Sequence, residues 1–534
     1  MDSKIFFEEV LTFLNKNQCI LLWDKKINKY HNACIVVEKR ILGVLKPKKT
    51  KEIQKIIVLA NKFDIKIYPI SIGNNWWYGT KNPITDDSVI LDLSKMNKII
   101  DFNNSLWYVR IEPWVTQEKL SNFLEKHKAD FQMDPTWSSP QTSVLANSLE
   151  RGFWIWLQNN HFENLANLEV VLPKWEVLHT GFGHYKNSKN KDVYKYWIWP
   201  YVDGLFSQSN LGIVTAWTIH LAPKFECIEL MAIKIDSNKQ LSSIINILQK
   251  LKRENICQFT INILHKKRVL STKHQFPFKE TNKTYIDEWL LLKLWDEMNI
   301  SQWNIVTTLQ WTWSIVSAQK REIKKRLNVV WIKASFITEK KLNFIYKYKF
   351  IFGFFMKKIL NLDVNVLYET LKKTFLIFKW IPSTVSMKSS YYRSQIKYSD
   401  KNPDPARDKG GLYWISPVIP FIWKDVLKAY EIWKNICEKY WFDFAPTYSL
   451  ANERFIDNTI ALMFDKLSQK ESVKAEKCYR ELIKIYKKEG YMIYRSWITS
   501  MDLVVDKNDI FWDIKRDIKS VIDPNNIMVP WKYE

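Results

Sequence analysis

Between residues 50 and 62 apolar side chains recur at helical spacing. Ile53, Ile56, Ile57 and Leu59 share one face, and Thr50 stands as the expected N-cap just after Pro47. The same periodicity predicts a helix after Thr116, with Leu120, Phe123 and Leu124 turned inward. The first ten residues, acidic and amphipathic, read as a helix start and not as a signal peptide. Apolar runs of strand character lie at 65–69, 89–93, 107–113 and 212–221, with a hairpin over 168–180 and a small extended segment at 34–38. The runs at 65–69 and 89–93 bracket a loop rich in Ser, Asn and Gly, the kind of backbone that can aim several N–H groups at one anion.

From residue 225 the pattern changes to longer alternating elements with no comparable loop. Strands are predicted at 228–235, 303–309 and 413–418, and helices at 241–252, 318–326 and 424–440. A last helix over 509–521 runs into Asp523-Pro524. A chain of 534 residues buries a large core and divides into at least two domains. The pattern gives an α+β protein with a first domain over 1–225 (core 37–223), a second over 226–499, and a segment over 500–534 that returns to the first. Neither repeats nor low-complexity linkers interrupt it.

Composition removes several function classes. The formal charge of +24 would suit a polyanion partner. The lysines, however, are dispersed and accompany abundant Asn and Ile, as an A/T-rich coding bias produces, so no nucleic-acid role is expected. Six cysteines are scattered without a C-x-x-C pair, and no histidine has metal-ligand spacing. A reduced, cytoplasmic chain without metal follows. The most apolar run, at 350–356, is too short to cross a bilayer, so no membrane role is expected.

The loop itself reads Pro69-Ile-Ser-Ile-Gly-Asn-Asn-Trp-Trp-Tyr-Gly79. After it come Asp92-Leu-Ser-Lys, Val109-Arg-Ile-Glu-Pro113, Met133-Asp-Pro-Thr136, Asn147-Ser-Leu-Glu-Arg-Gly152, Asp203-Gly-Leu-Phe-Ser, Gly411-Leu-Tyr-Trp and Asp523-Pro-Asn-Asn. In this order the segments resemble the FAD-binding (PCMH-type) oxidoreductases of the vanillyl-alcohol oxidase and 4-cresol dehydrogenase family, over nearly the whole chain. The resemblance implies a two-part FAD-binding domain plus an α+β cap domain. Flavin contacts are then expected from Pro69, Ser71, Ile72, Gly73, Asn74, Asn75, Trp77 and Gly79 in the first loop. Thr136, Trp137, Ser138 and Ser139 form the second, and Asn147, Arg151, Gly152, Ile213 and Lys532 complete the set.

By the same resemblance Tyr78, Tyr494 and Arg495 correspond to two tyrosines and an arginine that bind a phenolic oxygen. Two hydroxyl donors and a fixed cation suit a phenolate, from which hydride loss at the para-alkyl carbon is far easier. Asn160 stands where the oxidase has an aspartate and cannot act as a base; His161 beside it is a second-layer candidate. Leu412 and Asn74 occupy positions where relatives carry a flavin-linking His, and no Tyr lies around Asp404, so the FAD is expected to be non-covalent. The implied activity passes a hydride from the benzylic carbon of a para-substituted phenol or aromatic alcohol to FAD, with O2 or a cytochrome as electron acceptor. Oxidation of a 2-hydroxy acid or alditol is the alternative, and a non-catalytic basic binding protein lies further off. Self-association is left open.

Where the family's text has glycine, this chain repeatedly has tryptophan: Trp77, Trp114, Trp137, Trp154, Trp175, Trp199, Trp441 and Trp531. The chain has 12 Gly and 26 Trp, and the two together match the glycine count of about 37 expected at a usual share of about 7%. The text reads as a gene from a lineage in which UGA encodes Gly, written with Trp at those codons. Local chemistry agrees. Trp175 falls in a hairpin turn, and Trp441-Phe442 follows a helix as Gly490-Tyr491 does elsewhere, so positive φ is expected at 175 and 441. Trp303, Trp414 and Trp512 are expected to be genuine.

Overall fold

The computed structural model describes residues 2–78, 81–153, 160–296, 300–360 and 364–534. Three sheets carry the architecture. In the first, four strands run in the order Cys19–Leu21, Ile41–Leu45, Ser88–Asp92, Lys66–Ile70. Ser88–Asp92 pairs in parallel with both neighbours and is buried along its whole length. The helix Thr50–Lys62 makes the crossover between two of these strands and buries Ile53, Ile56, Ile57 and Ala60, leaving Leu59 at the rim.

One local expectation is corrected here. Thr50 lies inside the first turn and its hydroxyl donates to Glu169 (2.9 Å). Lys49 is the N-cap and makes no side-chain cap bond, while the Glu52 carboxylate accepts from Lys48 N (2.7 Å). The extended segment at 34–38 is not a strand. The strand is Ile41–Leu45, which finds a parallel partner, whereas Cys34 is drawn to the far half of the chain by Leu412 N, which donates to its carbonyl (3.1 Å).

The second sheet is antiparallel, in the order Ile99–Asn103, Tyr108–Ile111, Ile213–His220, Leu165–Val171, Val177–His179. Thr116 does cap the helix Gln117–Lys126, accepting from Lys119 N at 3.1 Å. The third sheet has eight strands, all from residues 227–465. It holds the predicted strands as Cys227–Ile235, Trp303–Trp311 and Gly410–Ile415, and adds Ile261–His265, Pro446–Leu450 and Phe455–Asp465, which the sequence pattern did not single out. Helices Asn238–Arg253, Trp423–Lys439 and Gln469–Lys488 supply its main apolar cover.

After the helix Ile510–Ile522 the chain comes back to the first sheet. Met528 bridges Ile67 in parallel, Ile67 N donates to Ile527 O (2.8 Å), and Val529 N to Ile67 O (3.0 Å). Buried Lys519 ties this turn together by donating to Met528 O (2.7 Å) and pairing with Asp523. Among the described residues no helix is long and apolar enough to cross a membrane.

Among the described residues tryptophan occupies left-handed backbone at six positions: Trp107, Trp175 (φ 77°), Trp331 (58°), Trp380 (65°), Trp441 (58°) and Trp531. At 441 the N–H groups of Trp441 and Phe442 reach back to Glu438 O and Cys437 O, the paired bonds of a Schellman cap. Trp331-Ile332 and Trp380-Ile381 close their helices by the same bonds, as does Gly490-Tyr491 with glycine. The indoles of Trp331 (93% exposed) and Trp441 (58%) project into water, whereas that of Trp380 is buried.

Candidate active site

Two adjoining cavities open where the first two sheets meet the third. The first, about 170 Å³, is lined by Pro69, Ser71, Ile72, Gly73, Asn74, Asn75 and Trp77 from the loop after Lys66–Ile70. Ser138, Asn147 and Lys532 close it, together with Thr142, Ser143, Ala146, Ser496 and Tyr533. Gly73 holds φ +68°, and a Cβ there would meet the Lys81 side chain at 2.4 Å, so both conformation and space call for glycine. The backbone N–H groups of Ile72, Gly73, Asn74 and Asn75 donate to no partner among the described residues. Four consecutive donors without a partner among the described residues, in a loop that lines a cavity also lined by Lys532, suit an anion such as a pyrophosphate. The donor set therefore fits FAD. The room is reduced by Trp77, whose indole lies 5.1 Å from that of Trp414.

Not every expected flavin residue lines these cavities. Thr136, Trp137 and Gly152 belong to the second cavity, and Asn147 and Trp77 to both. Ser139 is buried instead in its own turn, where its hydroxyl accepts from Gln141 N (3.1 Å). Arg151 turns away, donating to Ser207 (2.8 Å) beside the Phe162 ring, because it sits at a helix end with φ 51°. The Ile213 side chain is core. Gly79 and Trp154 lie outside the described residues.

The second cavity, about 120 Å³, gathers Tyr78, Tyr494 and Arg495 from opposite ends of the chain. Backbone pairing delivers the last two. Val418 N donates to Met492 O (2.8 Å), Pro417 bridges Ile493, and Tyr494 N donates to Ser416 O (3.2 Å). The Tyr78 hydroxyl donates to the Ser416 hydroxyl, the Tyr78 and Tyr494 rings meet edge-on at 6.2 Å, and the Arg495 guanidinium lies 4.3 Å from the Tyr78 ring centre. Burial, and beyond it nearby negative charge, drive both phenols well above their ordinary range. Burial is the largest influence and works against the Arg495 charge, but Glu150, 3.4 Å away, and the nearby phenols of Tyr494, Tyr78 and Tyr533 together outweigh it and raise the guanidinium. Burial likewise opposes ionisation of Glu150; Lys532 (3.4 Å) and Arg495 overcome it and hold the carboxyl low.

Asn160 and His161 are set back from this group. The Asn160 side chain caps its own turn, accepting from Phe162 N (3.0 Å). His161 lies 3.1 Å from Asp134 and hydrogen-bonds Asn147, through which it touches the wall of both cavities. Asp457 was not foreseen. It lines the second cavity, burial pushes its carboxyl up to about 7, and its Oδ1 has no hydrogen-bond partner among the described residues. Its signal was available, since it opens the polar triplet Asp457-Asn458-Thr459 in a buried strand, Phe455–Asp465, whose next five residues are apolar. Arg268 also lines this cavity, and nothing in its basic surroundings, Lys266-Lys267-Arg268, marked it.

A family of FAD binding domains matches residues 41–181. The fold is that of PCMH-type flavoproteins. The structure of p-cresol methylhydroxylase with substrate bound superposes with a TM-score of 0.87 at 20% identity, covering 100% of this chain and 96% of that one. The protein is an FAD-dependent oxidoreductase with the PCMH-type fold. Among curated proteins it is similar to 1'-carboxy-chondrochloren decarboxylase of Chondromyces crocatus, 28% identical over 94% of this chain and 92% of the relative. It is also similar to the 4-cresol dehydrogenase [hydroxylating] flavoprotein subunit of Pseudomonas putida, 24% identical over 90% of this chain and 85% of the relative.

Proposed function

We propose that the protein oxidises the benzylic carbon of a para-substituted phenol or related aromatic alcohol. The observation that carries this reading is the meeting of Tyr78, Tyr494 and Arg495 on one cavity beside the flavin cleft. The phenolic substrates named for 4-cresol dehydrogenase and p-cresol methylhydroxylase agree with it. Asp457 takes the phenolic proton, being the buried acid with a carboxyl near 7 and a free oxygen. Tyr78 and Tyr494 then donate hydrogen bonds to the phenolate, and Arg495, preset by Glu150, supplies the positive charge. Bound FAD supplies the hydride acceptor, and the electrons pass on to O2 or a cytochrome. Residues 1–225 bind flavin, 226–499 cap the ring, and 500–534 complete the cleft. The six free cysteines support a cytoplasmic setting.

The test is anaerobic mixing of the flavin-loaded enzyme with a 4-alkylphenol and with its O-methyl ether. The phenol bleaches the flavin and the ether does not; equal bleaching by both would remove the phenolate from the mechanism. Acid precipitation should release the FAD into the supernatant, because Leu412 and Asn74 offer no link to it.

We infer further that glycine is the native residue at many of these tryptophans, Trp77 and Trp137 included. A cleft of about 170 Å³ is smaller than the roughly 300–1,000 Å³ usual for cofactor sites, and the Trp77 indole occupies its wall. Left-handed backbone at Trp175, Trp331 and Trp441, with exposed indoles, supports the same reading. Peptide mass spectrometry of the native protein over residues 168–181 and 527–534 decides it: glycine is expected at 175 and 531, and tryptophan at both would end the inference.

A further inference from the structure

Arg268 is only 6% exposed, yet its guanidinium makes no hydrogen bond or ion pair to any described residue. Its one partner is the face of Trp414, 5.3 Å away. Nη1 is enclosed and unsatisfied, while the remaining donors belong to a side chain that lines the substrate cavity. Burial alone, with no acid to oppose it, pushes the group down to about 10, so it is still charged at neutral pH. Buried cations are ordinarily paired, and this one has nothing to pair with from the described residues.

A second donor lines the same cavity. Asn262 accepts from the Ser449 hydroxyl through Oδ1 (2.9 Å), which leaves its NH2 end without a partner among the described residues. Thr447 and Ser449, from the strand paired with that of Asn262, line the same cavity and add hydroxyl groups to it. A buried cation without a charged partner among the described residues, in a cavity that also carries amide and hydroxyl groups, suits a small anion. The cavity is shared with Tyr78, Tyr494 and Arg495, so the anion has to arrive on the substrate itself.

We propose that Arg268, with the Asn262 amide, binds a carboxylate on the substrate's side chain, so that the preferred substrates are para-hydroxyphenyl compounds carrying an acid. A planar monoanion matches the guanidinium fork and the single unpaired charge, whereas a phosphate dianion would leave charge uncompensated. This rests on the phenol reading above for the other end of the substrate and goes beyond it in naming the side chain.

The experiment uses the flavin-loaded enzyme and two matched 4-hydroxyphenyl substrates, one ending in a carboxylate and the other in its methyl ester. Wild type should favour the acid in kcat/KM by about 100-fold, chiefly through KM. In Arg268→Met the acid-to-ester ratio should fall to near one, and Arg268→Lys should restore part of it. In parallel, the non-reactive 4-methoxyphenyl acid and ester are titrated against the flavin absorbance band, where the acid should bind more tightly in wild type and lose that advantage in Arg268→Met. A wild-type enzyme indifferent to the acid would overturn the proposal without any variant, as would a ratio unchanged by Arg268→Met. Because the ester still carries the phenol, its bleaching of the flavin reports on the phenol reading separately. If no phenol bleaches the flavin but the methoxyphenyl acid still binds through Arg268, the carboxylate site stands and the phenol reading fails.

Discussion

Arg495 and Arg268 line the same cavity and are both buried, but they are prepared differently. Glu150 pairs with Arg495 and the Tyr78 ring covers it, so its charge is held in position before any substrate arrives. Among the described residues Arg268 has no acid beside it and rests only on Trp414. A compensated cation can stabilise charge that develops during reaction, because its orientation costs nothing at that moment. An uncompensated one gains most from an anion that is present from the start. On the proposed reading the difference divides rate and recognition between the two groups.

The largest effect is expected at the prepared end. Arg495→Met should lower kcat/KM on a simple 4-alkylphenol by about 1,000-fold, roughly 4 kcal/mol, with most of the loss in the flavin reduction rate measured by stopped flow. A variant that loses only affinity would erase the contrast with Arg268. Asp457→Asn comes next. Its carboxyl titrates near 7, so wild-type reduction rates should rise as pH increases through 7, and the variant should show no such rise and about 100-fold slower reduction at pH 8. Stability should move oppositely. The native state keeps the Asp457 proton up to about 7, while the unfolded chain releases it near 4, so this residue subtracts stability as pH rises across that window. Denaturant melts at pH 5 and pH 8 should show the difference narrowed in Asp457→Asn.

The smallest effects lie away from the cavity. Trp331→Gly and Trp441→Gly should each stabilise the protein by about 1 kcal/mol by removing left-handed strain from an exposed indole, read from denaturant midpoints. Trp380→Gly should not, because its indole is buried and the gain is offset by the space it leaves.

The flavin half was more legible than the cap. The loop from Pro69 to Asn75 announces itself by composition, and Thr116 by its capping position, because both are local devices whose chemistry lies within a few residues. Tyr494 and Arg495 are legible only through the family resemblance, because what places them is the pairing of 492–494 with 416–418, a contact that no local pattern encodes. Thr50 illustrates the opposite failure. A good capping residue was present, but Glu169 from another sheet claimed its hydroxyl. Arg268 escaped notice because one arginine among lysines looks like surface, and only the fold buries it.

The return of the chain at Met528 has a consequence for how the enzyme is made. The flavin cleft takes its first wall from residue 69 and its closing lysine from residue 532, and Ile67 receives its edge partners from Ile527 and Val529. During synthesis the first sheet therefore emerges with one edge uncovered and an anion cradle lacking its lysine. Cofactor therefore cannot complete its site until residues 527–532 have been made and have met the first sheet, so the cradle is finished by the returning segment and not by that sheet alone.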